Sequence, residues 1–329
     1  MLFVGGLVSA CQPAKSTPRL PPRGQALKIN LLANTPYAPL LLMRERRLLE
    51  ARLPDVAIEW KLIPREADVA RALREGGLDI AAGSLWSFLR LRAQGEPVQL
   101  LAGVSTTNTA IVSQRPTLTH LSSLTPNDRL GIPDTGSHEE AIVRLLALHE
   151  LGDAGALQNR LERHAPGSLV FPEGNLPDLA AVVVSSPLLE AARVRPNTRV
   201  LASVEGLQDP PSNIVLFSTS ALRDRQPAVY GVFLEVLDQG VQAARDGPAG
   251  WQTLLTDHES AVYANRAIGT VRITFSRRVG GVDALAALID LSGPPPVLPL
   301  DVAAVWLDGL DPGPLAGPAS LRRPRSPMN

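Results

Sequence analysis

The sequence predicts an α/β protein with mostly parallel sheets, and three observations carry the prediction. Short apolar segments of strand length alternate with longer segments whose apolar residues recur at helical spacing, which is the pattern of parallel sheets covered on both faces. Gly, Ser, Thr, Asp and Pro, the residues of turns and helix caps, fall at the joints between these segments. The chain has 329 residues, enough for two lobes that each hold a core.

The first unit opens at Leu27 with the strand candidate "LKINLL", passes through "ANTPYAP" and enters the helical "LLLMRERRLLE". The second strand is "VAIEWKLI", and "PREADVARALREGG" follows it with Val69, Ala72 and Leu73 at helical spacing. Leu78 to Ala82 forms the third strand. The pair Gly83-Ser84 then releases the chain into a helix that Gly95 closes, and "VQLLAGVS" is the next strand. Arg129 to Ile132 repeats the pattern. It leads through "PDTGS" into a helix whose face is marked by Ala141, Leu145 and Leu148 and whose end is Gly152. In "LAAVVVSSPLLEAAR", Ala180 to Val184 is a strand, Ser186 a helix N-cap and Pro187 the first helical residue. "NIVLFSTSALRDRQPAVYGVFLEVLDQGVQAARDG" gives a last strand and a long helical region interrupted near Pro227.

Composition excludes several function classes. The chain is 45% hydrophobic and 19% charged, as expected of a folded globular protein. Thirty-two basic residues balance 32 acidic ones, and no basic stripe with interleaved aromatics is present, so nucleic acid is not an expected partner. The five histidines include no pair at i, i+4 spacing, so no metal site is expected. No Gly-x-Ser-x-Gly elbow and no Gly-x-x-x-x-Gly-Lys phosphate loop occurs; the motifs point to no enzyme and no cofactor.

The single cysteine, Cys11, allows no intrachain disulfide framework. It follows the apolar "MLFVGGLVSA", which is too short to span a bilayer. Val8-Ser9-Ala10-Cys11 fits the site at which bacterial lipoproteins are cleaved and lipidated, so residues 1–10 read as a signal peptide and 11–26 as a Pro-rich, lipid-anchored tether. A buried free thiol is the alternative. Residues 311–329 are rich in Pro and Gly and are expected to be a disordered tail. Between tether and tail no segment reaches about 18 uncharged apolar residues in a row, so a lipid anchor is the only membrane attachment expected.

In α/β sheets ligands bind where strand C-termini meet the following helix N-termini, and free N–H groups there favour anions. "GSL" at 83–85 and "DTGS" at 134–137 are therefore either plain helix caps or parts of such an edge.

The segments "GGLDIAAGSLWSFLRLRAQGEPVQLLAGVS", "LGIPDTGSHEEAIVRLLALHELG", "SSPLLEAARVRPNTRVLASVEGL" and "NIVLFSTSALRDRQPAVYGVFLEVL" share an order and spacing that resemble a family. It is the periplasmic solute-binding proteins of ABC importers, in the branch that includes nitrate, sulfonate, taurine and thiamine-pyrimidine-precursor binders. The resemblance covers about Leu27 to Gly247. It implies a two-lobed, type II periplasmic-binding-protein-like fold with a ligand cleft between lobes joined by two crossing segments. Lobe 1 is then 27–105 with 210–310, and lobe 2 is 106–209. The crossings fall near Ser105 to Ile111 and Ser203 to Asn213.

Carried over by position, the resemblance places Thr35 and Tyr37 in the first pocket loop, Gly83, Ser84 and Trp86 in the second, and Thr106, Thr107 and Asn108 at the first crossing. Asp134, Thr135, Gly136 and Ser137 lie across the cleft with Ser185 and Ser186. Tyr37 and Trp86 are either pocket walls or core aromatics. Where family members often carry an acidic residue before proline, this chain has Ser186-Pro187. The implied function is capture of a small organic solute, sulfonate-like or a planar heterocycle, by a monomeric lipoprotein outside the cytoplasm that delivers it to ABC permease and ATPase subunits. The alternatives implied by the same resemblance are a cytoplasmic enzyme of a pyrimidine or menaquinone precursor pathway, and a sensory ligand-binding module.

Overall fold

The structure is a computed structural model that describes residues 26–63, 66–134, 136–164, 179–247, 251, 254–255 and 273–290. The expected signal peptide, Cys11, nearly all of the tether, Thr135 and the tail lie outside the described residues.

In chain order, β1 (Ala26–Asn30) leads through a 3-10 turn (Thr35–Tyr37) into α1 (Ala38–Glu45) and α2 (Leu48–Arg52). β2 (Ala57–Lys61) is followed by α3 (Glu66–Arg74), and β3 (Ala81–Ser84) by α4 (Leu85–Ala93). The long β4 (Val98–Thr107) hands the chain to β5 (Thr109–Ser113) with only Asn108 between them. Next come β6 (Arg129–Ile132), α5 (His138–Leu151), β7 (Leu161–Arg163), β8 (Leu179–Ser185), α6 (Leu188–Arg193) and β9 (Arg199–Ser203). β10 (Ile214–Thr219), α7 (Ser220–Arg225), α8 (Pro227–Arg245), β11 (Ile273–Phe275) and α9 (Val282–Asp290) complete the described chain.

Two lobes result. In the first, β1 and β2 pair in parallel, and a bridge from Ile29 to Ile80 joins them to a sheet of order β11-β4-β10-β3. In the second, five strands lie in the order β7-β6-β8-β5-β9. β1 runs parallel to β2, and β6 runs parallel to β7 and β8, whereas β11 runs against β4. β10 and β5 run against their neighbours because each begins where the chain enters from the opposite lobe.

Local chemistry sets most element ends. The Ser84 hydroxyl accepts the Ser87 N–H at 3.1 Å and caps α4. Ser137 does the same for α5 by accepting from Glu140 N at 3.2 Å, and Gly152 ends that helix in the left-handed region at φ 76°. Pro227 stands at the first position of α8, where its missing N–H costs nothing, and so separates α8 from α7. β3 ends later than its apolar run because Ser84 itself is extended and pairs with Ile214. Ser186 is not the N-cap of α6: Pro187 holds that position, and the Ser186 hydroxyl instead donates to Glu190 Oε1 at 2.7 Å.

Two large apolar clusters hold the molecule together. In lobe 1, α8 buries Val229, Phe233, Val236, Leu237 and Val241 at helical spacing against Leu40, Leu41 and Met43 of α1. The other cluster crosses between lobes. Phe88 and Leu89 of α4, Leu285 and Leu288 of α9, and Ile142, Leu145 and Leu146 of α5 belong to one buried group, with the Phe88 and Phe217 ring centroids 5.5 Å apart. Each such side chain contributes about 1.5–3 kcal/mol by leaving water, so this seam fixes how α4 and α5 lie together.

Candidate ligand cleft

Thr35 and Tyr37 sit in the 3-10 turn after β1, and both are buried. The Tyr37 hydroxyl donates to the Ala82 carbonyl at 3.4 Å while its ring joins the lobe-1 core. Gly83 lies against the Phe217 ring, which a Cβ there would meet at 3.4 Å. Trp86 occupies the first turn of α4 and packs, 5% exposed, in the interlobe seam. The packing thus places both large rings in apolar clusters.

The crossing residues form a polar network. Thr107 Oγ1 accepts from Asn213 Nδ2 at 2.8 Å, and the Thr106 and Ser212 hydroxyls are 3.4 Å apart. Asn108 donates to Glu205 Oε2 at 3.2 Å and accepts from the Ser203 hydroxyl at 3.1 Å, while its carbonyl receives the Ser186 N–H at 2.8 Å. The two crossing segments are therefore bonded side by side. Thr106, Thr107, Asn108 and Ser186 come together there, with their polar groups engaged in the hinge itself.

Across from α4 stands the loop that enters α5. Asp134 is half exposed and pairs with Arg163 Nε at 3.2 Å. Gly136 adopts φ 74°, a conformation that glycine reaches without the steric cost of a Cβ, and its N–H donates to Glu140 Oε2 at 2.6 Å. Glu140 Oε1 accepts from Gln158 Nε2 at 2.7 Å, and Glu139 Oε1 from the Ser185 hydroxyl at 2.9 Å. Ser185 lies 2.8 Å from the Thr109 hydroxyl, so the end of β8 is tied to the start of α5 and to the crossing. Both glutamates are first-turn acids that suit the positive end of the helix.

The first N–H groups of a helix lack intrahelical partners. Ser137 satisfies that of Glu140, and the N–H groups of His138 and Glu139 have no partner among the described residues. His138 is 4% exposed, and its Nδ1 has no partner among the described residues. Burial holds its imidazole below the ordinary titration range, against the opposing pull of Glu139. This helix start therefore offers oriented donors in a partly dry setting, suited to a negative or partly negative group.

One residue of this neighbourhood has no counterpart in the sequence reading. Arg90 of α4 donates from Nη1 to the Gly136 carbonyl at 3.3 Å and so brings a lobe-1 cation to the lobe-2 loop. It sits within the helix and belongs to no turn or cap, so no local pattern marks it; only the packing of α4 on α5 does.

The chain matches no protein-family model and no curated protein. Solved structures are similar in fold. The periplasmic aliphatic sulphonate binding protein from Escherichia coli superposes with a TM-score of 0.63 at 19% identity, covering 81% of this chain and 91% of that one. The alkanesulfonate-binding protein from Xanthomonas axonopodis pv. citri, bound to MOPS, gives 0.61 at 20% identity, covering 82% and 93%. The periplasmic nitrate-binding protein from Synechocystis PCC 6803 gives 0.51 at 14% identity, covering 75% and 68%. The fold is the two-lobed periplasmic-binding-protein fold, and these neighbours come from the branch that the sequence resembles.

Proposed function

We propose that the protein is an extracytoplasmic solute-binding component of an ABC importer and that it captures a small organic anion with a sulfonate-like head. The start of α5 carries this reading: a glycine loop, a serine cap and N–H donors without partners among the described residues, with a lobe-1 arginine bonded to the Gly136 carbonyl. Similarity in fold to sulfonate-binding proteins supports the same class. The burial of Tyr37 and Trp86 in apolar clusters favours a compact head group over a planar ring held by stacking. Ligand contacts are assigned to Gly136 and Ser137 with Asp134 and Thr135 beside them, and Gly83, Ser84 and Ser185 complete the edge. Thr35, in the turn after β1, and the hinge set Thr106, Thr107, Asn108 and Ser186 shape the cleft. In this reading Cys11 carries the lipid anchor, the folded body is a monomer held outside the cytoplasmic membrane, and a permease and ATPase are the partners. It performs no catalysis.

Isothermal calorimetry with propane-1-sulfonate, taurine, MOPS, nitrate and a pyrimidine tests the reading. Binding of one or more sulfonates, with nitrate and pyrimidine weaker, is the expected result. Tight binding of the pyrimidine alone would overturn it.

A further inference from the structure

Arg90 is the cation that lobe 1 brings to the α5 start. The acids around the α5 start each have another partner: Asp134 pairs with Arg163, Glu139 accepts from Ser185, and Glu140 accepts from Gly136 N and Gln158. Arg90 forms no ion pair among the described residues, and of its five N–H donors one is used, on the Gly136 carbonyl. Its neighbour on the same helix, Arg92, turns instead to the Val98 carbonyl within lobe 1.

Gly136 lies beside that guanidinium. Its φ of 74° disfavours a side chain, and a Cβ there would stand 2.5 Å from Arg90 Nη1. A flexible guanidinium end moves aside from such a contact, so the positive φ is what calls for glycine here. The seam of Phe88, Leu89, Leu285, Leu288, Ile142 and Leu145 sets the spacing of α4 and α5 that permits it. The guanidinium, without a carboxylate partner among the described residues, stands beside a helix start whose positive end Glu139 and Glu140 already complement. Those two glutamates have neutral partners, so Arg90 supplies the positive charge that an anion held there needs. The Nδ1 of buried His138, the first residue of that helix, has no partner among the described residues, a separate observation at the same place.

We propose that Arg90 is the interlobe positioning residue of the cleft: through the Gly136 carbonyl it docks lobe 1 on the α5 entry loop, and its charge biases the cleft toward anionic solutes. The second clause rests on the proposed function; the first rests on the two-lobed fold alone.

The full chain carrying Cys11→Ser receives spin labels at Arg71→Cys on α3 and His149→Cys on α5, positions whose side chains are 59% and 57% exposed. Interlobe distances are measured by pulsed electron resonance without ligand. Arg90→Ala is expected to lengthen or broaden the distribution, Arg90→Lys to restore part of it, and Arg92→Ala to leave it unchanged, all with unchanged melting temperature. An Arg90→Ala distribution identical to that of the parent, or an equal shift in Arg92→Ala, overturns the proposal.

The second arm compares propane-1-sulfonate with uncharged propane-1-sulfonamide. Arg90→Ala should weaken the sulfonate about tenfold and the sulfonamide by clearly less, and Arg90→Lys should recover part of the loss. Equal loss for both probes overturns the charge bias. If neither probe binds the parent protein, the proposed function fails while the distance measurement still decides the docking role.

Discussion

Ser137→Asp separates the two roles of the α5 start, because aspartate caps a helix about as well as serine but carries a charge. In the structure the Ser137 hydroxyl accepts one bond, from Glu140 N at 3.2 Å. A carboxylate takes over that bond and adds a favourable interaction with the helix dipole, so stability should stay within about 0.5 kcal/mol of the parent. Ser137→Ala, which loses the cap, should cost about 1 kcal/mol and lower the melting temperature by about 2–4 °C. Binding should follow the opposite order. A carboxylate about 4 Å from a bound sulfonate repels it by about 1 kcal/mol in water and about 4 kcal/mol at the effective dielectric of a protein surface, which is about fivefold to nearly a thousandfold in affinity. Thermal denaturation and calorimetry with propane-1-sulfonate read the two effects on the same samples. The expected pattern is an aspartate variant that melts like the parent and binds at least fivefold more weakly. An aspartate variant that binds as well as the parent refutes the placement of the anion at this helix, and Ser137 is then a cap alone.

Three further outcomes are expected. Gly103→Ala puts a Cβ 2.2 Å from the Arg278 carbonyl oxygen and 2.8 Å from that of Ser276, backbone against backbone; urea unfolding should show a loss of about 3 kcal/mol as the bond from Gly103 N to Arg277 O is displaced. His138 is held neutral by burial, so the unfolded chain binds the extra proton first and the protein loses stability as pH falls below the ordinary 6.5. Stability curves of His138→Leu should lack that loss, and a parallel decline in both proteins between pH 6.5 and about 5 would contradict the assignment. Asp128 accepts from Thr125 N at 2.6 Å, Thr125 Oγ1 at 2.9 Å and Arg115 Nη1 at 2.7 Å. The Thr125 N–H, with the hydroxyl and Arg115 behind it, holds the carboxyl below its ordinary 3.8 against the cost of burial. Its contribution is present above pH 3.8 and lost as pH falls through the lower folded value, so Asp128→Asn should cost about 2 kcal/mol at pH 7 and converge with the parent in strong acid.

The elements were legible because their signals are local. A cap such as Ser137 with Glu140, or a left-handed end such as Gly152, is decided within four residues of sequence, and β6 spans the residues that its apolar run marks. Strand alternation with helices likewise required only periodicity. The resemblance that gave the two-lobed fold added the order of these units. Ser186 shows the limit: its position before Pro187 reads as a cap, yet its hydroxyl turns to Glu190 and its N–H to the Asn108 carbonyl, 78 residues away in sequence.

What the residues around the cleft do was decided by contacts of that longer kind. Tyr37 and Trp86 have the same chemistry as pocket walls or as core, and only the helices and strands packed over them settle which environment they occupy. Asn213 reaches Thr107 across 106 residues, and Arg90 reaches Gly136 across 46. The sequence by itself determined the alternating elements, their caps and the loops that face the sheet edges, because those follow from backbone sterics and hydrogen bonding among near neighbours. The tertiary structure alone decided the antiparallel entry of β5 and β10, the bonded pair of crossings and the arginine beside the α5 loop. Each of these depends on where a shared apolar seam brings distant helices to rest, and burial of that seam is non-directional and leaves no mark on any short stretch of chain.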